Sequence, residues 1–310
     1  MRDTFELWEG RGQFAGHETF PLRLLWLKKS YDAVRGGVPI GTFHEPEAIV
    51  RFGVGRNMAV SMRYWATAAG IIHDSNSALM PTELGDAIFG DSGTDPFIER
   101  TATLWLVHWN FASEPSLTTT IFFAFNGISG TEFDVASINN ELSAVVNARG
   151  WRAAPVTLRR DIDVFLRSYV RRDDIDVEDA AEPLLAELGL VRDMRPGAWF
   201  EFVRGPKPTL PNAVFAYALG QFWQRNYPAL ATLSAEQICY AVGSPGRVFK
   251  LDEDSVVNHL MRLEELTGGV WAWTDTAGLR QVQRRGQLDL MQLLLNAYPP
   301  RPQRNRRRVA

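Results

Sequence analysis

Residues 45–90 constrain this chain more than any other stretch. The spacing predicts a short helix over 45–54, a tight turn at Gly53 and Gly55, and a second helix over 56–69. In the second helix Met58, Met62, Trp65 and Ala69 recur at i, i+4, i+7 and i+11, which makes one buried face. The other side carries Arg56, Val60, Arg63 and Thr67, with Asn57, Ser61 and Tyr64 alongside. Gly70 closes the helix. Two short strands, 71–74 and 78–82, follow across Ser75-Asn76-Ser77. Helix, turn, helix and two-stranded wing is the order of a winged helix-turn-helix, which presents its second helix to the DNA major groove. Arginines beside Asn, Ser, Thr and Tyr suit phosphates and base edges, so Arg56, Asn57, Ser61, Arg63, Tyr64 and Thr67 are candidate nucleic-acid contacts. The same geometry also serves protein–protein contact.

Two further stretches carry chemistry. His17 and Glu18 stand ahead of a helix expected over 22–34, with Thr19 as its cap and Pro21 in its first turn. A His–Glu pair there binds a metal or moves a proton, or else ties a loop to the helix end. Over 157–170, Leu158, Ile162, Phe165, Leu166 and Tyr169 give an amphipathic helix. Its other face carries Arg159, Arg160, Asp161, Asp163 and Arg167. These read either as a solvated ion-paired surface or as a phosphodiester site, with carboxylates for a divalent ion and arginines for the phosphate. Residues i and i+2 diverge around a helix, which weighs against a metal shared by Asp161 and Asp163. His108, among apolar residues, reads as a core histidine.

The remaining elements are helical for the most part. Helices are expected over 97–111, 118–125, 135–147, 180–188, 211–227 and 287–297. Strand pairs fall at 190–195 and 198–204. Residues 233–284 repeat the helix-turn-helix order, with a second helix over 252–266 and a wing bearing Arg280, Arg284 and Arg285. That second helix is rich in carboxylates, which repel phosphates, so protein contact or wing-to-backbone contact is expected of it. The fold class is mainly α (α+β), with winged helix-turn-helix units at both ends joined by a helical middle. The boundaries are 1–95, 96–172 and 173–310. The charged run at 171–179 reads as a connector, and the Arg-rich tail from Arg301 as a disordered end.

Net charge is −3, so any nucleic-acid contact comes from local patches. A single cysteine, Cys239, excludes an internal disulfide and a cysteine metal cluster. No apolar run is long enough to span a membrane, and a cytoplasmic location is expected.

The motifs Phe14-Ala15-Gly16-His17-Glu18-Thr19-Phe20, Trp26-Leu27-Lys28-Lys29, Gly53-Val54-Gly55-Arg56-Asn57-Met58, Arg63-Tyr64-Trp65, Pro81-Thr82-Glu83-Leu84-Gly85, Thr103-Leu104-Trp105-Leu106 and Arg160-Asp161-Ile162-Asp163-Val164-Phe165-Leu166 resemble an uncharacterised-domain family. The family is associated with bacterial DNA phosphorothioation operons and includes the SspB-type component; the resemblance covers about 14–290. It implies a protein that binds double-stranded DNA and nicks it, so that sulfur replaces a non-bridging phosphate oxygen in an anti-phage defence system. It implies Mg or Mn as cofactor, and a cysteine desulfurase and a phosphorothioation sulfurtransferase as partners. Catalytic candidates are then Asp161 and Asp163, or His17 and Glu18, with Arg159 and Arg160 holding the strand; the metal ligands stay open. The alternative is a non-catalytic winged-helix DNA-binding adaptor or transcriptional regulator.

Overall fold

The computed structural model describes residues 9–44, 46–75, 78–171, 183–276 and 278–299. Glu45, the turn at 76–77, the charged run from 172 onward, the start of the helix expected over 180–188 and the Arg-rich tail lie outside the described residues.

The N-terminal third runs α1 (Trp26–Arg35), a 3-10 turn (Ile40–Phe43), α2 (Glu47–Phe52), α3 (Arg56–Ala68), a hairpin of β1 (Ile72–Ser75) and β2 (Ala78–Pro81), and α4 (Glu83–Phe89). Gly53 ends α2 with φ +67°, left-handed backbone that costs glycine little. Ala59, Met62, Trp65 and Ala66 of α3 are buried against α1. The Thr82 hydroxyl accepts the Gly85 N–H to cap α4 and lies within hydrogen-bonding distance of the Gly70 carbonyl, pinning the hairpin to the end of α3.

The helix expected over 22–34 starts only at Trp26, with Leu25 at the N-cap and no side-chain cap. Thr19 does not cap it. Its backbone is left-handed, with φ +68°, and its carbonyl is held by Arg167.

The middle comprises α5 (Thr101–Ala112), α6 (Thr119–Asn126), β3 (Glu132–Phe133), α7 (Val135–Ala148) and α8 (Pro155–Tyr169). The β-branched and aromatic run expected as helix is α6, and every residue of it is buried. Such a segment is apolar all round because protein surrounds it on all sides. α5 begins later than expected because the buried Asp95 carboxylate accepts the N–H groups of Glu99 and Arg100 and the Thr103 hydroxyl, which organises a turn ahead of the helix.

Next come a 3-10 turn (Leu184–Leu188), β4 (Val191–Arg195), β5 (Trp199–Phe202), α9 (Asn212–Asn226), β6 (Thr232–Ser234), α10 (Ala235–Tyr240), α11 (Pro245–Val248), α12 (Glu253–Leu260), α13 (Leu263–Leu266), β7 (Trp271–Thr276), β8 (Leu279–Arg284) and α14 (Leu290–Leu295). The sheets are small and antiparallel, ordered β1-β2, β3-β5-β4 and β6-β8-β7. The hairpin expected at 190–204 thus gains a third strand from ahead of α7. The helix expected over 252–266 is broken after Leu260 into α12 and α13. The fold is α+β, predominantly helical, as expected. Among the described residues no helix is long and apolar enough to cross a membrane.

His108 joins the middle to the C-terminal part. Its Nδ1 pairs with the Tyr169 hydroxyl at 2.8 Å and its Nε2 with the Val248 carbonyl at 2.9 Å. Burial pushes its pKa down to about 3, so it is a neutral, satisfied core histidine.

Candidate nucleic-acid interface

A strap of residues 12–20 crosses α3 and α8, and it brings two separate sequence candidates together. Ala15 donates its backbone N–H to the Asp161 carboxylate at 3.0 and 3.3 Å. The Thr120 hydroxyl reaches the same carboxylate at 3.3 Å. His17 Nε2 lies 3.1 Å from Asp161 Oδ1. Thr19 donates its N–H to His17 Nδ1 at 3.1 Å, which in the neutral ring places the proton on Nε2, the side facing Asp161. The imidazole stacks on Trp65 with the planes 14° apart, and Trp65 donates its indole N–H to the Phe20 carbonyl. Arg167 closes the rim: its Nε donates to Asp163 at 2.8 Å and its terminal nitrogen to the Thr19 carbonyl at 2.5 Å.

His17 and Asp161 therefore meet, Asp163 is tied to the strap through Arg167, and Glu18 stands next to His17 in the strap. His17 and Asp161 are the buried layer, each about 5% exposed. Glu18 is exposed on the strap, and Asp163 sits on the outward side of α8. The cavity beside His17 and Asp161 is about 10 Å³, room for one water at most. Ala15, Glu18 and Thr19 all adopt positive φ. Left-handed backbone at three non-glycine residues costs free energy that the surrounding bonds must offset. Thr120, Arg167 and the Ala15 N–H belong to the constellation but were not among the sequence candidates; the first and last are long-range bonds with no local signature.

Gly16 fits because nothing larger does: a Cβ there would lie 2.5 Å from the Tyr64 ring. Gly16→Ala is expected to destabilise the protein by about 1–3 kcal/mol, the cost of overpacking. Thermal denaturation checks this, and an unchanged midpoint would mean that the strap does not pack on Tyr64.

On α3, Arg56 and Asn57 are exposed. Arg63 is partly exposed; it pairs with Asp74 of the hairpin at 3.0 Å and lies 3.2 Å from His44 Nε2. Thr67 is half-buried and its hydroxyl donates to the Arg63 carbonyl. Ser61 is fully buried beside the Phe20 carbonyl, and the Tyr64 hydroxyl donates to the Leu117 carbonyl at 2.7 Å, so both face protein. Arg159 and Arg160 of α8 are exposed. Among the described residues no three His, Cys, Asp or Glu side chains assemble into a metal-holding group.

The three arginines of the C-terminal hairpin and its end all have partners within the protein. Arg280 bonds Glu253 and lies near Asp275, Arg285 pairs with Glu264, and Arg284 donates to the Pro228 carbonyl while lying over the Trp223 ring. Arg280 and Arg285 thus pair with carboxylates of α12 and α13, while Arg284 is held by backbone carbonyls and a ring and keeps its charge unpaired by any carboxylate among the described residues.

A family model described as "Protein of unknown function (DUF4007)" matches residues 14–298. The chain belongs to this family. No curated protein matches it. Two crystal structures do, one of SspB and one of magnesium ion-bound SspB, each with TM-score 0.84, 26% sequence identity, 93% of this chain and 88% of that chain covered. The DUF4007 fold of this chain is thus shared with SspB from the strap through α14.

Proposed function

We propose that the chain is the DNA-binding component of a phosphorothioation system and nicks duplex DNA so that sulfur can enter the backbone. The likeness to SspB over nearly the whole chain carries this reading. The order α1, α2, α3 and hairpin fits a winged helix-turn-helix, and so does β6-β8-β7 around α10 to α12. In the first unit α3 offers Arg56 and Asn57 outward. The strap constellation beside it supplies Glu18 and Asp163 at the rim, with Arg159 and Arg160 exposed on α8. Double-stranded DNA is the substrate in this reading, and sulfur-transfer proteins are its partners.

One of the similar structures is of SspB bound to magnesium ion. Magnesium is commonly held by only one or two carboxylates, with water and phosphate oxygens completing its shell, and Glu18 and Asp163 at the rim are the residues that would hold it here. The burial of His17 and Asp161, beside a cavity with room for one water at most, favours as second reading an adaptor that binds DNA and leaves cleavage to a partner.

Supercoiled plasmid incubated with the pure protein and Mg²⁺ or Mn²⁺, with an EDTA control, separates the two. EDTA-sensitive open-circle product is the expected result. A mobility shift without nicking would leave the adaptor. Arg56→Ala with Arg63→Ala is expected to weaken binding and flatten the salt dependence by about one to two contacts' worth. Fluorescence anisotropy across a salt series reads this, and an unchanged slope would take both side chains off the phosphate interface.

A further inference from the structure

The carboxylates of α12 argue against DNA at the C-terminal unit, but the structure disposes of most of them. Asp252 caps α12, accepting the Ser255 N–H at 2.9 Å, and Glu253 is bonded to Arg280. That leaves Asp254 on the first turn. Ser255, Asn258 and His259 share one face of α12, Arg262 follows at the break before α13, and none of the four is a carboxylate. They form one wall of a groove of about 370 Å³, whose other wall is the segment 206–211 with Lys207.

Lys207 and Arg262 bring two cations to the groove, and the Asp252 carboxylate near Lys207 offsets part of that charge. Lys207 is buried, and its ammonium donates to the Val203 carbonyl at 2.9 Å and the Gly205 carbonyl at 3.1 Å. Two acceptors leave one of its three N–H bonds unused. It makes no ion pair among the described residues. Arg262 is exposed in the groove lining and Arg204 is exposed outside it, and neither side chain makes a hydrogen bond or ion pair among the described residues. His259 is held by Asn212 at 2.6 Å and stacked on Phe215, and burial pushes its pKa down to about 4. It is therefore neutral and shapes the wall rather than adding charge. This local excess stands on a chain whose net charge is −3, so it is not the overspill of a basic protein.

We propose that the groove between residues 206–211 and α12 is a second binding site, for the phosphate groups of a nucleic-acid backbone. It rests on the DNA-binding reading above but uses none of the α3 residues. The Lys207 ammonium on one wall and the free Arg262 guanidinium on the other suit phosphate oxygens, which accept several hydrogen bonds at once. The contact is with the backbone, so it adds affinity and salt dependence without sequence preference.

The test uses the full chain and a fluorescent duplex, titrated across a salt series. Arg262→Gln is expected to lower the steepness of the salt dependence by about one contact, and Arg204→Gln with Arg262→Gln by about two, with affinity at low salt falling about tenfold or more. Both side chains are exposed, and a thermal melt confirms that the fold is kept. A matched loss of charge at Arg192 and Arg195, on the β4–β5 hairpin, is expected to leave the slope unchanged. Wild-type slope in the groove variants would overturn the site alone, as would an equal drop in the hairpin variant. No duplex binding by the wild type would overturn the DNA-binding reading and this one together.

Discussion

Asp161→Ala is expected to destabilise the folded protein by about 2–5 kcal/mol, at about 1–3 kcal/mol for each buried donor it leaves unsatisfied. Asp161 is about 5% exposed and gathers the Ala15 N–H, the Thr120 hydroxyl and the His17 ring. Alanine leaves the Ala15 N–H and the Thr120 hydroxyl buried with no carboxylate to accept them, and each pays desolvation that water cannot return. The strap also loses the bond that helps offset its left-handed residues. Asp161→Asn keeps an acceptor at the same place and is expected to cost about 1–2 kcal/mol. Urea denaturation measures both. Faster tryptic cleavage after Arg11 or Arg23 in Asp161→Ala would show that the strap is what lets go. By contrast, Glu18→Ala and Asp163→Ala act on exposed groups and are expected to cost under about 1 kcal/mol. Two outcomes sort chemistry from positioning. If folded Asp161→Asn still nicks plasmid while Glu18→Ala or Asp163→Ala does not, the buried layer positions and the rim reacts. If Asp161→Ala unfolds no more easily than wild type, the constellation does not hold the strap.

How much of this was legible in the sequence depended on range. The buried face of α3, the glycines that end α2 and α3, the paired strands after them and the helical character of α6 are written within a dozen residues. So is the Ser234 cap of α10, where Ser234 and Gln237 exchange bonds with each other's backbone. The strap was not legible. Ala15 and Asp161 stand 146 positions apart, and periodicity over a window of residues says nothing about which loop an aspartate will receive. Reading residues 157–170 by helical spacing set Asp161 among the charged residues, yet it is buried, because Thr120 and the strap satisfy it. The same blindness explains β3. Two residues have no strand signature of their own and become a strand only because β5 pairs with them. The break between α12 and α13 also goes unmarked, since no proline or glycine stands at residues 261–262. The partners of Arg280, Arg284 and Arg285 were equally invisible, since they come from α12, α13 and the loop after α9. Local pattern predicted which elements form, and tertiary contact decided which charges remained free to act.

Lys250 gives the largest expected effect of pH. It is 3% exposed; its ammonium nitrogen donates to the Phe125 carbonyl at 2.7 Å and lies 4.1 Å from the centre of the Phe202 ring. No carboxylate pairs with it among the described residues. Burial pushes its pKa well below the ordinary lysine value, and the nearby Arg204 and Arg247 push the same way. The sign follows directly. Between its folded value and the ordinary 10.5 the unfolded chain binds a proton that the folded chain does not, so folding becomes more favourable as pH rises through that window. Below the folded value the penalty for burying the charge is present in full; above 10.5 it is gone. Lys250→Met keeps the length and apolar stem of the side chain and removes the proton. The stability difference between wild type and Lys250→Met is therefore expected to move in favour of wild type by about 1.4 kcal/mol per pH unit inside the window. Urea denaturation of both proteins at stepped pH from neutral into the alkaline range reads this directly. Parallel curves would mean that Lys250 keeps its proton on folding, with the Phe125 carbonyl and the two aromatic faces enough to hold the charge. A converging or crossing pair would mean that the joint between α6 and the 247–252 segment is built around a neutral amine, and that the cationic excess near the α12 groove is carried by Arg204, Lys207 and Arg262 alone.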